Sequence, residues 1–291
     1  MRKLGLDLGG TNIKLALLED GEVVHEHAVP TRSEDGGPDA VLERIAELAG
    51  SAGAVGSVGV AVPGIFDERG VAALFPNLHG SWTGVPVRAR LEESLGRPVA
   101  LINDGHAFAL AESTLGAGRQ SPDVMCIVCG TGIGGGLVLG GRLHLGVADR
   151  AGEFGHHTVA LDGPRCECGN TGCLELFAGA RAIARAAGAD SFDDAVRRAR
   201  QGDAGAVDAL AAAGRLIGVA VANVLIFIAP RRVVLGGGVT EAGELLLGPL
   251  RASIAERARV APLEKIGIVT AALGPRAGAI GAALWGAAEA A

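Results

Sequence analysis

Residues 5–17 read GLDLGGTNIKLAL, and residues 126–139 read CIVCGTGIGGGLVL. Each is an apolar run, a tip of Gly and Thr, and a second apolar run, which is the pattern of a β-hairpin. Glycine at such a tip leaves backbone N–H groups open to an anion with no Cβ in the way. Two such hairpins, each followed by mixed strands and helices, predict an α/β chain of two similar lobes with a cleft between them. The segment Gly130-Thr131-Gly132-Ile133-Gly134-Gly135 also fits the dinucleotide pattern GxGxxG. That pattern requires a helix straight after the glycines. Leu137-Val138-Leu139 and Gly140-Gly141 read instead as strand and turn, so the Rossmann reading is rejected.

Outward from the hairpins, short apolar strands are expected at 4–8, 13–18, 57–62, 99–102, 124–129, 137–139, 233–235 and 266–270. Helices are expected at 38–50, 85–95, 106–116, 174–187, 191–201, 205–229, 241–259 and 277–290. In 38–50, Val41, Leu42, Ile45 and Leu48 recur at helical spacing opposite Glu43, Arg44 and Glu47. At 291 residues two domains are expected, since one domain typically takes about 150. The boundary is placed in the loop near 115–122. This gives a small lobe over 1–115, completed by the C-terminal helix 276–291, and a large lobe over 116–275.

The net charge is −6, which argues against a nucleic-acid partner, whose footprint is a basic stripe. Backbone N–H groups and a metal ion can still hold an anionic small molecule. The longest apolar stretch, 216–229, contains Asn223 and falls short of the about 20 residues that span a membrane. It is expected to be a buried helix. No secretory leader is visible at the N-terminus, and the expectation is a soluble cytoplasmic protein with no membrane partner.

Three of the five cysteines fall within eight residues, Cys166-Glu-Cys168-Gly-Asn-Thr-Gly-Cys173, in a turn-rich loop. Three thiolates and one imidazole make a closed tetrahedral zinc site, and His156 and His157 lie just upstream. The competing reading is a set of reduced structural cysteines. With four protein ligands the metal would be structural, pinning a loop without activating water. Cys126 and Cys129 read as small core residues of a strand.

The strand at 99–102 runs into Asn103-Asp104-Gly105 and then a helix. On spacing alone Asp104 is either a turn residue near a helix N-cap or a carboxylate that takes a proton from a substrate hydroxyl in phosphoryl transfer.

These residues together resemble the ROK sugar kinases of the hexokinase/actin-like ATPase superfamily. Asp7-Leu-Gly9-Gly10-Thr11-Asn-Ile-Lys14 is similar to the family's first phosphate motif, and Gly130–Gly136 to its second. Val62-Pro63-Gly64 and Pro76-Asn77-Leu78 resemble two sugar-side loops, and Asn103-Asp104 the catalytic motif. Glu153-Phe-Gly-His156, with Cys166-x-Cys168-x4-Cys173-Leu-Glu175, resembles the sugar and zinc signature. Gly236-Gly237-Gly238 resembles the adenosine loop. The matches run in order from residue 5 to about 240.

The resemblance implies a two-lobed actin-like ATPase (ribonuclease H-like) fold with its active site in the interlobe cleft. The implied activity is ATP-dependent phosphorylation of a hexose 6-hydroxyl, with D-glucose first among the sugars. Fructose, mannose or N-acetylmannosamine, or a catalytically inactive sugar sensor, are the alternatives. Asp104 would be the base. Gly64, Asn77, Asn103, Glu153, His156 and Glu175 would surround the sugar. Asp7, Gly9, Gly10, Thr11, Gly130, Thr131, Gly132, Gly236, Gly237 and Gly238 would bind ATP with Mg²⁺. His156, Cys166, Cys168 and Cys173 would hold Zn²⁺, with His157 as a second choice for the imidazole. A homo-oligomer, dimer or tetramer, is also implied. Lys14 is given no role. His106 departs from the family, which usually has Asn two residues after the base. The family's repressors carry a helix-turn-helix ahead of the kinase-like body, for which residues 1–4 leave no room.

Overall fold

A computed structural model describes residues 1–290. The strands are β1 (Lys3–Leu8), β2 (Asn12–Glu19), β3 (Glu22–Pro30), β4 (Ser57–Val62), β5 (Ile65–Phe66), β6 (Ala72–Leu74), β7 (Ala100–Asn103), β8 (Val124–Cys129), β9 (Ile133–Leu139), β10 (Arg142–His144), β11 (Arg232–Gly236) and β12 (Gly267–Thr270). The helices are α1 (Gly37–Gly50), α2 (Val87–Leu95), α3 (Asp104–Thr114), α4 (Glu175–Ala178), α5 (Ala180–Ala186), α6 (Phe192–Arg200), α7 (Ala204–Ile228), α8 (Glu244–Arg257) and α9 (Ala277–Glu289).

The chain divides into two compact units. The first comprises Met1–Arg119, Leu143–Ala151 and the chain from Leu273 onward, and the second Gln120–Arg142 and Gly152–Ala272. The segment Leu143–Ala151 lies inside the stretch expected to form the large lobe, yet it folds with the first unit. Leu143 packs there against Ala61, Ile102, Ala107 and Ala282.

The first unit holds a sheet of order β3-β2-β1-β4-β7, and the second a sheet of order β10-β9-β8-β11-β12. In both, a hairpin (β1–β2, β8–β9) is antiparallel and the next two strands join in parallel. This repeated order is the ribonuclease H-like topology of the actin-like ATPases. β1 and β4 are buried almost throughout, as central strands covered on both faces must be.

On the first sheet lies α9, whose Ala- and Gly-rich sequence allows close approach. A Cβ on Gly5 would stand 1.9 Å from Ala279 O, and one on Gly59 1.8 Å from Ala282 O. In the second unit α7 packs on α8 in the same way, with Gly214 and Gly218 against the carbonyls of Leu246 and Leu250. α7 is long and apolar enough to cross a membrane by length and composition, and 44% of its most apolar window is buried. Its buried residues, Leu210, Ile217, Val221 and Leu225 among them, belong to the core of the second unit.

Two local differences from expectation have clear causes. β3 was not anticipated, because EVVHEHAVP is mostly exposed and shows no apolar alternation; it is a charged edge strand. The helix expected over 174–187 breaks at Gly179 into α4 and α5. A Cβ there would come within 2.8 Å of Thr131 O, and the following amide, Ala180 N–H, donates to Gly130 O at 2.9 Å. The break docks the helix pair on the second hairpin tip.

Candidate functional site

In the first unit the candidate residues sit beyond the carboxyl ends of the parallel strands β1, β4 and β7, where α/β proteins place their ligands. The β1–β2 tip carries Gly9, Gly10 and Thr11, closed by Gly9 N–H donating to Asn12 O at 3.0 Å. Behind it Asp7 is 8% exposed. Its register partner on β2 is Lys14, whose Nζ lies 3.5 Å from Asp7 Oδ2. Burial pushes the Asp7 carboxyl above its ordinary value, and Lys14 only partly offsets this. The carboxylate is also enclosed by α9, since a Cβ on Gly278 would stand 2.6 Å from Asp7 Oδ2. A buried carboxylate with one partial counterion suits a site that receives a divalent cation.

The cost of that burial has a definite sign. A carboxyl whose folded pKa is raised binds more protons folded than unfolded, so stability falls as pH rises through the folded pKa. Asp7→Asn is therefore expected to melt above the wild type at pH 7–8 without nucleotide, and the gap should close as pH drops toward the ordinary carboxylate range. Thermal melts across pH check this; a variant that melts lower at pH 8 would contradict it.

Past β4, Gly64 has φ +74°, and a Cβ there would strike Leu74 O at 2.2 Å. The Gly64 carbonyl accepts from Asn103 Nδ2 at 3.1 Å. Asn103 is also the N-cap of α3, its Oδ1 accepting from Gly105 N–H at 2.8 Å and His106 N–H at 3.2 Å. Capping therefore falls to Asn103, and Asp104 becomes the first helical residue, exposed and at the positive end of the helix. Asp104 Oδ1 accepts from Gly105 N–H at 2.8 Å. Asn77 is exposed at φ +62°, with its carbonyl against Gly10, where a Cβ would stand 3.0 Å away.

His106 is 1% exposed, with Nε2 2.7 Å from Ala151 O. A carbonyl only accepts, so Nε2 carries the proton. The bond holds the chain two residues before Glu153. Asn, the usual residue here in the family that the sequence resembles, is shorter and ends near the position of Nδ1. His106→Gln, whose amide reaches as far as Nε2, is expected to keep the KM for the hexose implied by the sequence resemblance within about twofold. His106→Ala should raise it about two- to twelvefold, the net worth of one hydrogen bond. Equal KM values in both variants would show that the bond is not used.

In the second unit the β8–β9 tip is closed by Gly130 N–H donating to Gly132 O at 2.8 Å. The glycines of β9 make room for the turn Glu153–His156. A Cβ on Gly135 would collide with the Phe154 ring at 2.6 Å, and one on Gly155 with Ile133 O at 2.2 Å. Glu153 is exposed at the start of this turn. Beyond β11, Gly237 has φ +85° and sits against the end of β8, 2.2 Å from Cys129 O were it to carry a Cβ. Gly236 pairs with Val128, so Gly236–Gly238 and Gly130–Gly132 lie at the ends of adjacent parallel strands.

The ligand atoms of His156, Cys166, Cys168 and Cys173 all lie within 4.8 Å of one another. Cys168 Sγ is 3.7 Å from Cys173 Sγ, and Cys166 Sγ is 3.7 Å from His156 Nδ1. Tetrahedral zinc bonds of about 2.3 Å to sulfur and about 2.0–2.1 Å to nitrogen require edges of roughly 3.8 and 3.6 Å, so the four residues fit that ion. Without a metal, burial raises the Cys166 thiol and pushes Cys173 up to about 12. The Asn170 backbone N–H lowers that of the exposed Cys168. His157 faces elsewhere, with Nε2 3.2 Å from Asn223 Nδ2 on α7. Glu175 joins the cluster to the hairpin. Its Oε1 is 3.5 Å from His156 Nδ1, and its Oε2 lies on Gly132, 3.1 Å from where a Cβ would be.

Reading the sequence alone missed two sets of contacts. Lys14 carries no local signal, and its tie to Asp7 follows only from the register of the β1–β2 hairpin. Thr31 and Ser33, both fully buried polar residues, sit in a loop whose sequence, Pro-Thr-Arg-Ser, carries no signal.

The model of the ROK family matches residues 3–289. A glucokinase of Thermotoga maritima is 37% identical, with 97% of this chain and 96% of that protein covered. Among solved structures, a ROK hexokinase from Thermus thermophilus superposes with a TM-score of 0.88 at 37% identity, covering 99% of both chains. A ROK family glucokinase from Streptomyces griseus, in complex with glucose and AMPPNP, gives 0.86 at 31% identity, covering 99% of this chain and 100% of that one.

Proposed function

The chain belongs to the ROK family, and we propose that it is a hexokinase-type enzyme that transfers the γ-phosphoryl group of ATP to the 6-hydroxyl of D-glucose. Several relatives of matching length are glucokinases, and one of them was solved with glucose and AMPPNP. Within this chain the supporting observation is Asp104, an exposed carboxylate that stands as the first residue of α3, beyond the carboxyl end of β7, while Asn103 does the capping.

In this reading Asp104 accepts the proton of the 6-hydroxyl as that oxygen forms its bond to the γ-phosphorus and ADP departs. Glu153, His156 and Glu175 pair with the remaining hydroxyls, as does the second amide hydrogen of Asn103, with Asn77 and Gly64 alongside. Such pairing is needed because an unpaired buried polar group costs about 1–3 kcal/mol. The tips Gly9–Thr11 and Gly130–Gly132 line the phosphates, with the N–H groups of Gly10, Thr11, Thr131 and Gly132 donating to phosphate oxygens while those of Gly9 and Gly130 close the turns, and Gly236–Gly238 receive the adenosine. Asp7 would hold Mg²⁺ through water. That ion would supply positive charge to offset the negative charge of the phosphates.

His156 Nδ1, Cys166, Cys168 and Cys173 would hold Zn²⁺ as a cross-link of the loop, leaving His156 Nε2 for the sugar and fixing its tautomer. A cluster of thiols suits a reducing compartment, and we place the enzyme in the cytoplasm as a homo-oligomer of two or four chains.

The test is ADP release with MgATP across glucose, mannose, fructose, N-acetylmannosamine and N-acetylglucosamine. Glucose is expected to show the highest kcat/KM, with epimers about five- to 150-fold lower, the cost of one mispaired hydroxyl. Preference for another sugar overturns the glucose assignment, and no turnover on any of them overturns the kinase reading.

A further inference from the structure

The segment Thr31-Arg32-Ser33 joins two loops that the proposed reaction uses separately. Thr31 is fully buried and Ser33 is 1% exposed. Thr31 Oγ1 donates to Gly9 O at 2.6 Å, and Thr31 N–H donates to Thr11 O at 2.8 Å, so the phosphate tip is gripped on both sides of Gly10. In a planar trans peptide the C=O and the next N–H point in opposite directions. Drawing the Gly9 carbonyl onto Thr31 therefore turns the Gly10 N–H away from Thr31. Two residues on, Ser33 Oγ accepts from His79 N–H at 3.0 Å and lies 3.1 Å from His79 Nδ1. The His79 carbonyl accepts from Trp82 Nε1 at 3.1 Å. This fixes the loop that carries Asn77, whose carbonyl rests on Gly10.

Between the two grips Arg32 holds φ +46°, a conformation that costs a non-glycine residue free energy and persists only where its surroundings enforce it. Arg44 Nη1 donates to the carbonyls of both Thr31 and Arg32. Ser33 beside a histidine is not an exposed nucleophile, because its hydroxyl is sealed and already accepts a backbone N–H.

We propose that Thr31 and Ser33 form a brace that aims the Gly10 amide at the nucleotide phosphate and ties that tip to the Asn77 loop, so that sugar and nucleotide each strengthen the binding of the other. The inference rests on the assignment of Gly9–Thr11 and Asn77 under the proposed function. Both are positioning residues, acting through backbone groups they hold.

Calorimetric binding of AMPPNP with Mg²⁺, with and without glucose, tests it on the wild type, Thr31→Val, Thr31→Ser and Ser33→Ala, after thermal melts confirm folding. Thr31→Val keeps the shape and removes the donor. It is expected to weaken AMPPNP about tenfold, one hydrogen bond's worth, while Thr31→Ser stays within about twofold. In the wild type glucose should tighten AMPPNP, and in Ser33→Ala that enhancement should fall while glucose itself binds about five- to tenfold more weakly. Wild-type affinity in Thr31→Val, or full enhancement in Ser33→Ala, overturns the brace alone. Ser33→Ala carries the test if Thr31→Val does not fold. A wild type that binds neither ligand overturns the site assignment and the brace with it.

Discussion

Asp104→Asn is expected to lower kcat for glucose about 10²- to 10⁴-fold, the usual contribution of a positioned general base. The substitution keeps the shape and one acceptor oxygen, replaces the other oxygen by an NH2 donor and removes the ability to accept a proton. It should leave the fold alone, because the cap of α3 is Asn103 and the Gly105 N–H can donate to an amide oxygen as well as to a carboxylate. The melting temperature should therefore stay within a few degrees of the wild type, the cost of one negative charge at the helix start, and the glucose KM should change far less than kcat. Initial rates over a glucose series, with a melt on the same preparation, give all three values. A kcat within threefold of the wild type would remove Asp104 from the base role, and a large fall in melting temperature would turn the result into one about folding.

Cys173→Ser should have the second largest effect. Cys173 is fully buried beside Cys168, so in the proposed zinc site its loss would leave three ligands and a hydroxyl in a sealed position. Structural zinc supplies about 10–16 kcal/mol to peptides that fold around it, and part of that would be forfeited here. The purified variant is expected to carry well under one equivalent of zinc. Its loop over 156–175 should exchange amide hydrogens faster, and its glucose KM should rise by at least about tenfold through the paired loss of His156 and Glu175. The core of the second unit, built on Met125, Ile127, Leu210 and Ile217, should keep it folded. Metal analysis, hydrogen exchange and kinetics on one sample decide the matter; a full equivalent of zinc in the variant would rule out Cys173 as a ligand. Zinc uptake should also weaken as pH falls. The Cys173 thiol, pushed up to about 12 without metal, must release its proton to bind.

How much could be read beforehand depended on where the signal was stored. The strands that form the two sheet centres were legible because full burial demands uninterrupted apolar runs, as in 57–62 and 124–129. β3 was not, because an exposed edge strand needs no apolar face, and its Glu and His residues look like loop. The break at Gly179 was hidden for a different reason: 174–187 is a sound helix locally, and only the hairpin tip lying against it demands an interruption. The long helix was read over 205–229 and runs Ala204–Ile228.

Within the site, the sequence by itself determined which residues can do chemistry. Carboxylates, thiols, imidazoles and glycine tips are identified by type and by spacing along the chain, and the Cys166–Cys173 loop and both Gly tips were visible that way, whereas spacing left Asp104 open between a helix-start residue and a base until the family resemblance favoured the base. Only the tertiary structure decided what each one touches. It gave Asp7 its partner Lys14 across the hairpin, set Glu175 between His156 and Gly132, turned His106 to the Ala151 carbonyl, and made buried clamps of Thr31 and Ser33. Those pairings join residues up to 46 positions apart, as in Ser33 and His79. A hydrogen bond forms only where backbone and side chain meet within about 3 Å, and sheet register and helix packing, which local sequence does not encode, bring them there.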